Sequence, residues 1–288
     1  MSAFAGANAM RHVHTLLGNA TALIGASITL FVLLAVTIGP LLMPYGPNEA
    51  DFLNILTPPS WAHPFGTDSF GRDVLTRVLY GARISLIVSA TGVALAAAIG
   101  TAVGMTAAYK GGYTDLLFMR FADLLFAFPA FVLALFLMVV LGFGTMNVAL
   151  AIALIYFPIF ARLARNMTLL VREEPYVQAA RLMAQSTPRI LLREILPNIA
   201  APLIVQATIG IAFGIIIEAG LSFLGVGVQP PTPSLGVIMA DGREYFQRGP
   251  WVLTLTGVAI SFALLGLNLF GDGLRDLMDP RLRQRADQ

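Results

Sequence analysis

The chain has 288 residues, 57% hydrophobic and only 12% charged, with 18 basic and 16 acidic side chains. A soluble domain carries about 25% charged residues, so an ordinary soluble fold is excluded and lipid is required as solvent. The absence of cysteine excludes disulfides and thiolate chemistry, and the small basic surplus reflects membrane topology rather than nucleic-acid binding.

A helix needs about 20 apolar residues to cross the hydrocarbon. Residues 15–48, 84–109, 124–161, 195–217 and 250–271 contain no Asp, Glu, Lys or Arg. The third stretch is long enough for two helices, divided at Gly142-Phe143-Gly144-Thr145, whose glycines and polar end suit a tight connection. The expected architecture is an all-α polytopic membrane protein with six transmembrane helices near residues 22–43, 84–109, 120–141, 147–165, 199–224 and 251–270. The first is read as an uncleaved helix, because its apolar run exceeds that of a signal peptide and no clear small-residue cleavage site closes it before Pro40. Three regions follow: a tail, first helix and outer segment (1–83), a five-helix core with a cytoplasmic loop at 172–197 (84–276), and a final tail (277–288).

Short loops rich in Lys and Arg stay on the cytoplasmic side. With the N-terminus inside, only Arg72, Arg77, Arg83, Arg243 and Arg248 of the 18 basic residues fall outside. Both termini are therefore expected in the cytoplasm. Two outward segments, 44–82 and 226–250, are rich in Pro and Gly. In the second, Gln229-Pro-Pro-Thr-Pro-Ser234 predicts a fixed, extended corner.

Within the second span Gly92, Ala96, Gly100, Gly104 and Ala108 recur every four residues and share one helical face. That stripe suits either close packing inside this chain or a subunit interface. Pro129, Pro158 and Pro202 lie in or at the start of apolar spans and predict bends. Asp123 lies three residues after Arg120, which suits an i,i+3 ion pair at the inner end of the third span, with lining of a translocation path as the alternative. Glu218 follows a long apolar stretch with no basic residue within a helical turn. It reads either as part of such a path or as a hydrogen-bonded carboxyl between helices. Asp68, Arg72 and Asp73 read as a charged surface turn or as an outer contact.

The loop between the fourth and fifth spans has its own punctuation. Glu173 and Glu174 before Pro175 mark a helix start running to about Ala184. Ser186-Thr187-Pro188 marks a second helix running toward Leu196-Pro197. A helix, a break and a helix exceed the roughly 2–8 residues that helix connections in bundles need. The bland reading is a solvated basic juxtamembrane helix.

The pattern Gln178-Ala179-Ala180, a small residue at Ala184, then Ile195-Leu196-Pro197 resembles the EAA loop of membrane subunits of bacterial ABC importers. Gln178 stands where the motif has Glu, Ala184 where it has Gly, and Glu194 where an Ile is usual. Further motifs follow in the order of one family: His63-Pro-Phe-Gly-Thr-Asp68, Gly71-Arg-Asp-Val-Leu75, Tyr80-Gly-Ala-Arg-Ile-Ser-Leu86, Phe126-Ala-Phe-Pro129, Leu221-Ser-Phe-Leu-Gly-Val-Gly-Val-Gln-Pro-Pro231 and Gly271-Asp-Gly-Leu-Arg-Asp276. This series resembles the dipeptide/oligopeptide/nickel permeases, most closely their second, C-type subunit. The resemblance implies a type I ABC importer permease fold in a bacterial inner membrane and transport of di- or oligopeptides by alternating access. It also implies a heterodimer with a related permease, two cytoplasmic ATPases and an external solute-binding protein. The loop helix, with Glu174, Tyr176, Val177, Gln178, Ala179, Ala180, Arg181, Met183 and Ala184, would dock on an ATPase. Asp68, Arg72 and Asp73 would shape an outer gate or meet the binding protein. Nickel chelates, glutathione and opine-like solutes share this architecture.

A phosphate-binding loop needs Gly-Lys followed by Ser or Thr, because the lysine must reach the terminal phosphates. The only lysine, Lys110, follows Tyr109. No cofactor or metal is therefore expected on this chain, and ATP with Mg is assigned to partner subunits. The histidines are His12, His14 and His63, none in an expected span, and no hydrolase or metalloprotease motif occurs. A secondary transporter coupled to ions is the competing class.

Overall fold

The computed structural model describes residues 20–278. The expectations drawn for the tails beyond them, including Arg11, Arg281, Arg283 and Arg285, lie outside the described residues. Nine helices form the described chain: α1 (Ala20–Leu42), α2 (Val74–Lys110), α3 (Gly112–Phe126), α4 (Ala130–Leu141), α5 (Thr145–Val171), α6 (Pro175–Leu182), α7 (Thr187–Phe223), α8 (Leu235–Glu244) and α9 (Pro250–Met278). Helices α1, α2, α5, α7 and α9 are each long and apolar enough to span a membrane. The pair α3 and α4 is the sixth candidate span.

That sixth span is not the single helix expected at 120–141. Its halves meet at 94° across Ala127-Phe128-Pro129. Proline has no N–H and holds its own φ, so it leaves a helix at its first position and opens another. Pro129, with φ −56° and ψ 132°, sits at the start of α4. Gly142 and Gly144, both at positive φ, then make the tight connection into α5, and Asn147 donates to the carbonyls of Leu141 and Gly142.

Two spans exceed their expected lengths. Helix α2 starts ten residues before Ile84 because Asp73 caps it, its carboxylate accepting from Thr76 N at 2.7 Å. Helix α7 joins what read as two elements, the second loop helix and the fifth span. A π turn at Leu191–Ile195 precedes Pro197. The wider turn lets the chain pass a residue that cannot donate to the preceding turn.

Helices α2 and α5 share the most extensive contact among the described helices. A Cβ added at Gly92 would lie 2.6 Å from the Ala149 carbonyl oxygen, at Gly100 2.8 Å from that of Phe157, and at Gly104 2.2 Å from that of Ala161. Ala96 and Ala108 are buried on the same face. The stripe thus packs within the chain, where removing side chains lets two backbones approach and gain dispersion contacts. Phe160, Met138 and Ile152 fill the main core beside this seam.

The outer segments form their own layer. Helix α8, which the run of prolines had not announced, is capped by Ser234 accepting from Val237 N at 3.3 Å. Gly236 lets it press on α7, where a Cβ would come within 2.1 Å of Ala219 O. Val74, Val78, Leu235, Ile238 and Val252 make a small core beneath it, and Trp251 donates from Nε1 to Thr67 O at 3.1 Å.

Candidate functional site

The loop after α5 is fastened at its entry. Arg172 donates from Nη1 to Ala108 O at 2.7 Å, tying it to the end of α2. Glu174 is extended, at ψ 142°, and Pro175 opens α6. Val177 and Ala180 are buried in the main core with Ile190, Leu191 and Ile195. Gln178 donates from Nε2 to Glu173 O at 3.1 Å, a bond that a glutamate carboxylate at this position could not donate. Arg181 lies over the Tyr109 ring at 4.5 Å, a cation–π contact that holds its exposed guanidinium against α2.

Helix α6 stops at Leu182 rather than Ala184, and the reason is its C-terminal turn. Ala184 has φ 55°, while Gln185 N donates to Ala180 O at 3.2 Å and Ala184 N to Arg181 O at 2.9 Å. These two bonds define a Schellman motif, whose left-handed residue is usually glycine. The alanine therefore keeps the turn that the expected glycine would make. The outer side of α6 remains uncovered: Tyr176 is 41% exposed, Leu182 89% and Met183 68%, with Glu174 and Ala179 also exposed. Partial burial, and then the charges of Glu174 and Glu194, push the Tyr176 phenol above its ordinary pKa.

On the opposite side, Asp68, Arg72 and Asp73 are not a charged surface turn. Asp68 is 2% exposed. Its Oδ1 accepts from Phe70 N and Arg72 N at 2.8 and 3.0 Å, and its Oδ2 from Arg72 Nε at 2.6 Å and from Arg77 Nη1. Both arginines reach Asp241 on α8, at 3.2 and 3.3 Å. Burial pushes the Asp241 carboxyl above the ordinary range, and the two arginines oppose that shift. Asp73 caps α2 and meets His63 Nδ1 at 2.9 Å, with Tyr45 stacked on the imidazole. Arg77, Asp241 and His63 were missed by the sequence reading. No local spacing joins Arg77 to Asp241, 164 residues apart, although His63 stood inside a quoted motif.

Glu218 is fully buried and accepts from Ser222 Oγ at 2.7 Å. Ser222 Oγ in turn accepts from Val228 N at 3.0 Å. In this conformation Glu218 is a carboxyl enclosed between helices rather than the wall of an open path. The expected i,i+3 pair of Arg120 with Asp123 is present at 3.7 Å, and Asp123 has a nearer partner that spacing did not announce, Arg162 at 2.5 Å. Asp115 and Arg165 form a bidentate pair at 2.5 and 2.6 Å. These groups border a cavity of about 400 Å³ between α3 and α5.

Long apolar helices, a bent span and a helical loop wedged into the core define a polytopic helical membrane protein. The chain belongs to the family of binding-protein-dependent transport system inner membrane components, whose model matches residues 100–284. Residues 10–59 match the N-terminal transmembrane domain of oligopeptide transport permease C. Among its relatives is the dipeptide transport system permease protein DppC of Alkalihalophilus pseudofirmus, 42% identical over 92% of this chain and 87% of that protein. The di/tripeptide transport system permease protein DppC of Pseudomonas aeruginosa is 40% identical over 93% of this chain and 90% of its own length. The glutathione transport system permease protein GsiD of Escherichia coli is 42% identical over 88% and 85%. The chain is thus a multi-pass inner-membrane subunit of an ABC importer that works with an ATPase and a solute-binding protein.

Proposed function

We propose that this subunit forms one half of a heterodimeric path through which di- or oligopeptides enter the cytoplasm, with both of its termini on the cytoplasmic side. Two ATPases bind ATP and Mg, and this chain binds neither. Their closure moves α6, and α6 moves the bundle through alternating access. The observation that carries this reading is the division of α6 into two faces. Val177 and Ala180 are locked in the core while Leu182 and Met183 stand exposed beside a loop that continues without a break into α7. Apolar side chains held rigidly in the aqueous layer are suited to a protein groove. The peptide class rests on the names of the relatives. Glutathione is the second reading, supported by a relative of equal identity.

The test is purification of the assembled transporter with Leu182→Ser and Met183→Ser together. The expected result is loss of at least about tenfold in co-purifying ATPase, equivalent to about 1.4 kcal/mol of binding, and loss of peptide uptake in reconstituted vesicles. Uptake of peptide by this chain without any ATPase would defeat the reading. Preferential uptake of glutathione over dipeptides by the intact complex would move the assignment to the second substrate class.

A further inference from the structure

The cavity between α3 and α5 contains more charge than its ion pairs consume. Three arginines, Arg120, Arg162 and Arg165, face two carboxylates, Asp115 and Asp123, with Asn166 beside them. Arg165 is held by both oxygens of Asp115. Arg162 is held by Asp123 and covers the Phe126 ring at 4.2 Å. Arg120 has only a long contact to the oxygen of Asp123 that Arg162 does not use, and its side chain is 75% exposed.

Arg120 is among the basic residues expected on the cytoplasmic side, at the inner end of its span. Arg120 lies eight residues after Gly112, about 12 Å along the helix at 1.5 Å per residue. On the same uncovered side of α3 are Leu117, Phe121 and Leu124, all exposed. A guanidinium beside apolar side chains at the inner end of a span suits a polar cleft or an anionic partner. Such a cleft is there, open to the surface and polar, with room of about 400 Å³. Its α3 wall follows the end of α2, where the Ala108 carbonyl accepts from Arg172 of the loop.

We propose that this cavity is a station on the inward path that takes the carboxylate end of a zwitterionic peptide. The carboxylate is bound by Arg120 together with Arg162, displacing Asp123 from the Arg162 guanidinium, and the freed Asp123 meets the peptide ammonium. Planar arginine forks suit carboxylate in paired hydrogen bonds. A site with both signs of charge suits a ligand with both, whereas a lipid phosphate would face Asp115 and Asp123 as well as the arginines. The proposal rests on the peptide reading above.

The test uses the complete transporter without its binding protein, in nanodiscs of phosphatidylcholine, and measures equilibrium binding of trialanine and of trialanine C-terminal amide. The wild-type complex is expected to bind the free acid more tightly. Arg120→Gln should weaken the acid about tenfold, the scale of one charge-assisted hydrogen bond, and leave the amide unchanged, so that the preference collapses. Arg120→Lys should restore part of it. Equal weakening of both peptides, no binding of the acid, or a preference that Arg120→Gln does not alter would each overturn the proposal. Loss of the preference on adding phosphatidylglycerol would do so too, by assigning the arginine to a lipid headgroup. Peptide uptake by the full system with its binding protein is measured in parallel. Failure there defeats the peptide reading, whereas uptake without the acid preference defeats only the station.

Discussion

Ala184 occupies a backbone conformation that costs an L-residue about 1 kcal/mol, and nothing about its side chain repays this, since it is small and exposed. The turn persists because Gln185 N and Ala184 N close the end of α6. Ala184→Gly should therefore relax the turn, with protection of the α6 amides from hydrogen exchange rising about fivefold, the equivalent of about 1 kcal/mol. Unchanged or reduced protection would show that the turn is held by other means. Gln178 and Ala184 were visible in the sequence as departures from the motif, but the bond from Gln178 to Glu173 O and the left-handed turn were not. Asp68 was visible as well, yet its burial was not. A charged residue near a turn carries no local sign that two arginines and a distant helix enclose it.

The seam between α2 and α5 is an element whose spacing was legible and whose partner was not. Five small residues at intervals of four define a face on any helix, but only the packed bundle assigns that face to α5. Even one methyl group is too large at Gly104, where it would lie 2.2 Å from Ala161 O. Gly104→Ala should push the helices apart and lower the thermal unfolding midpoint in detergent, corresponding to about 1–3 kcal/mol for overpacking. Gly257→Ala, where the added Cβ meets nothing within 4 Å, should leave the midpoint unchanged or slightly raised. Similar effects from both would refute the seam. Pro129 likewise announced a bend, while its 94° angle depends on how α4 settles against the neighbouring helices.

At the scale of the whole molecule, the charge asymmetry that predicts cytoplasmic termini can be read directly, because the chain has no cysteine of its own. Single cysteines placed at Asn48 and Gln247, both exposed in the outer layer, should react with a membrane-impermeant maleimide in intact spheroplasts. A cysteine at Ser186, exposed in the loop, should react only after permeabilisation. The reverse pattern would invert the topology and remove the loop from any cytoplasmic ATPase.

The six-span class, the loop with its helix starts and the order of family motifs were determined by the sequence alone, because apolar length, proline position and charge are properties of neighbours along the chain. Tertiary structure decided which charges are buried, which carboxylate each arginine holds, that α7 runs unbroken from the loop into the membrane, and that Glu218 is enclosed. Each depends on residues brought together from distant parts of the chain. Long-range packing sets their solvent exposure and the cost of their charge, and local spacing encodes neither.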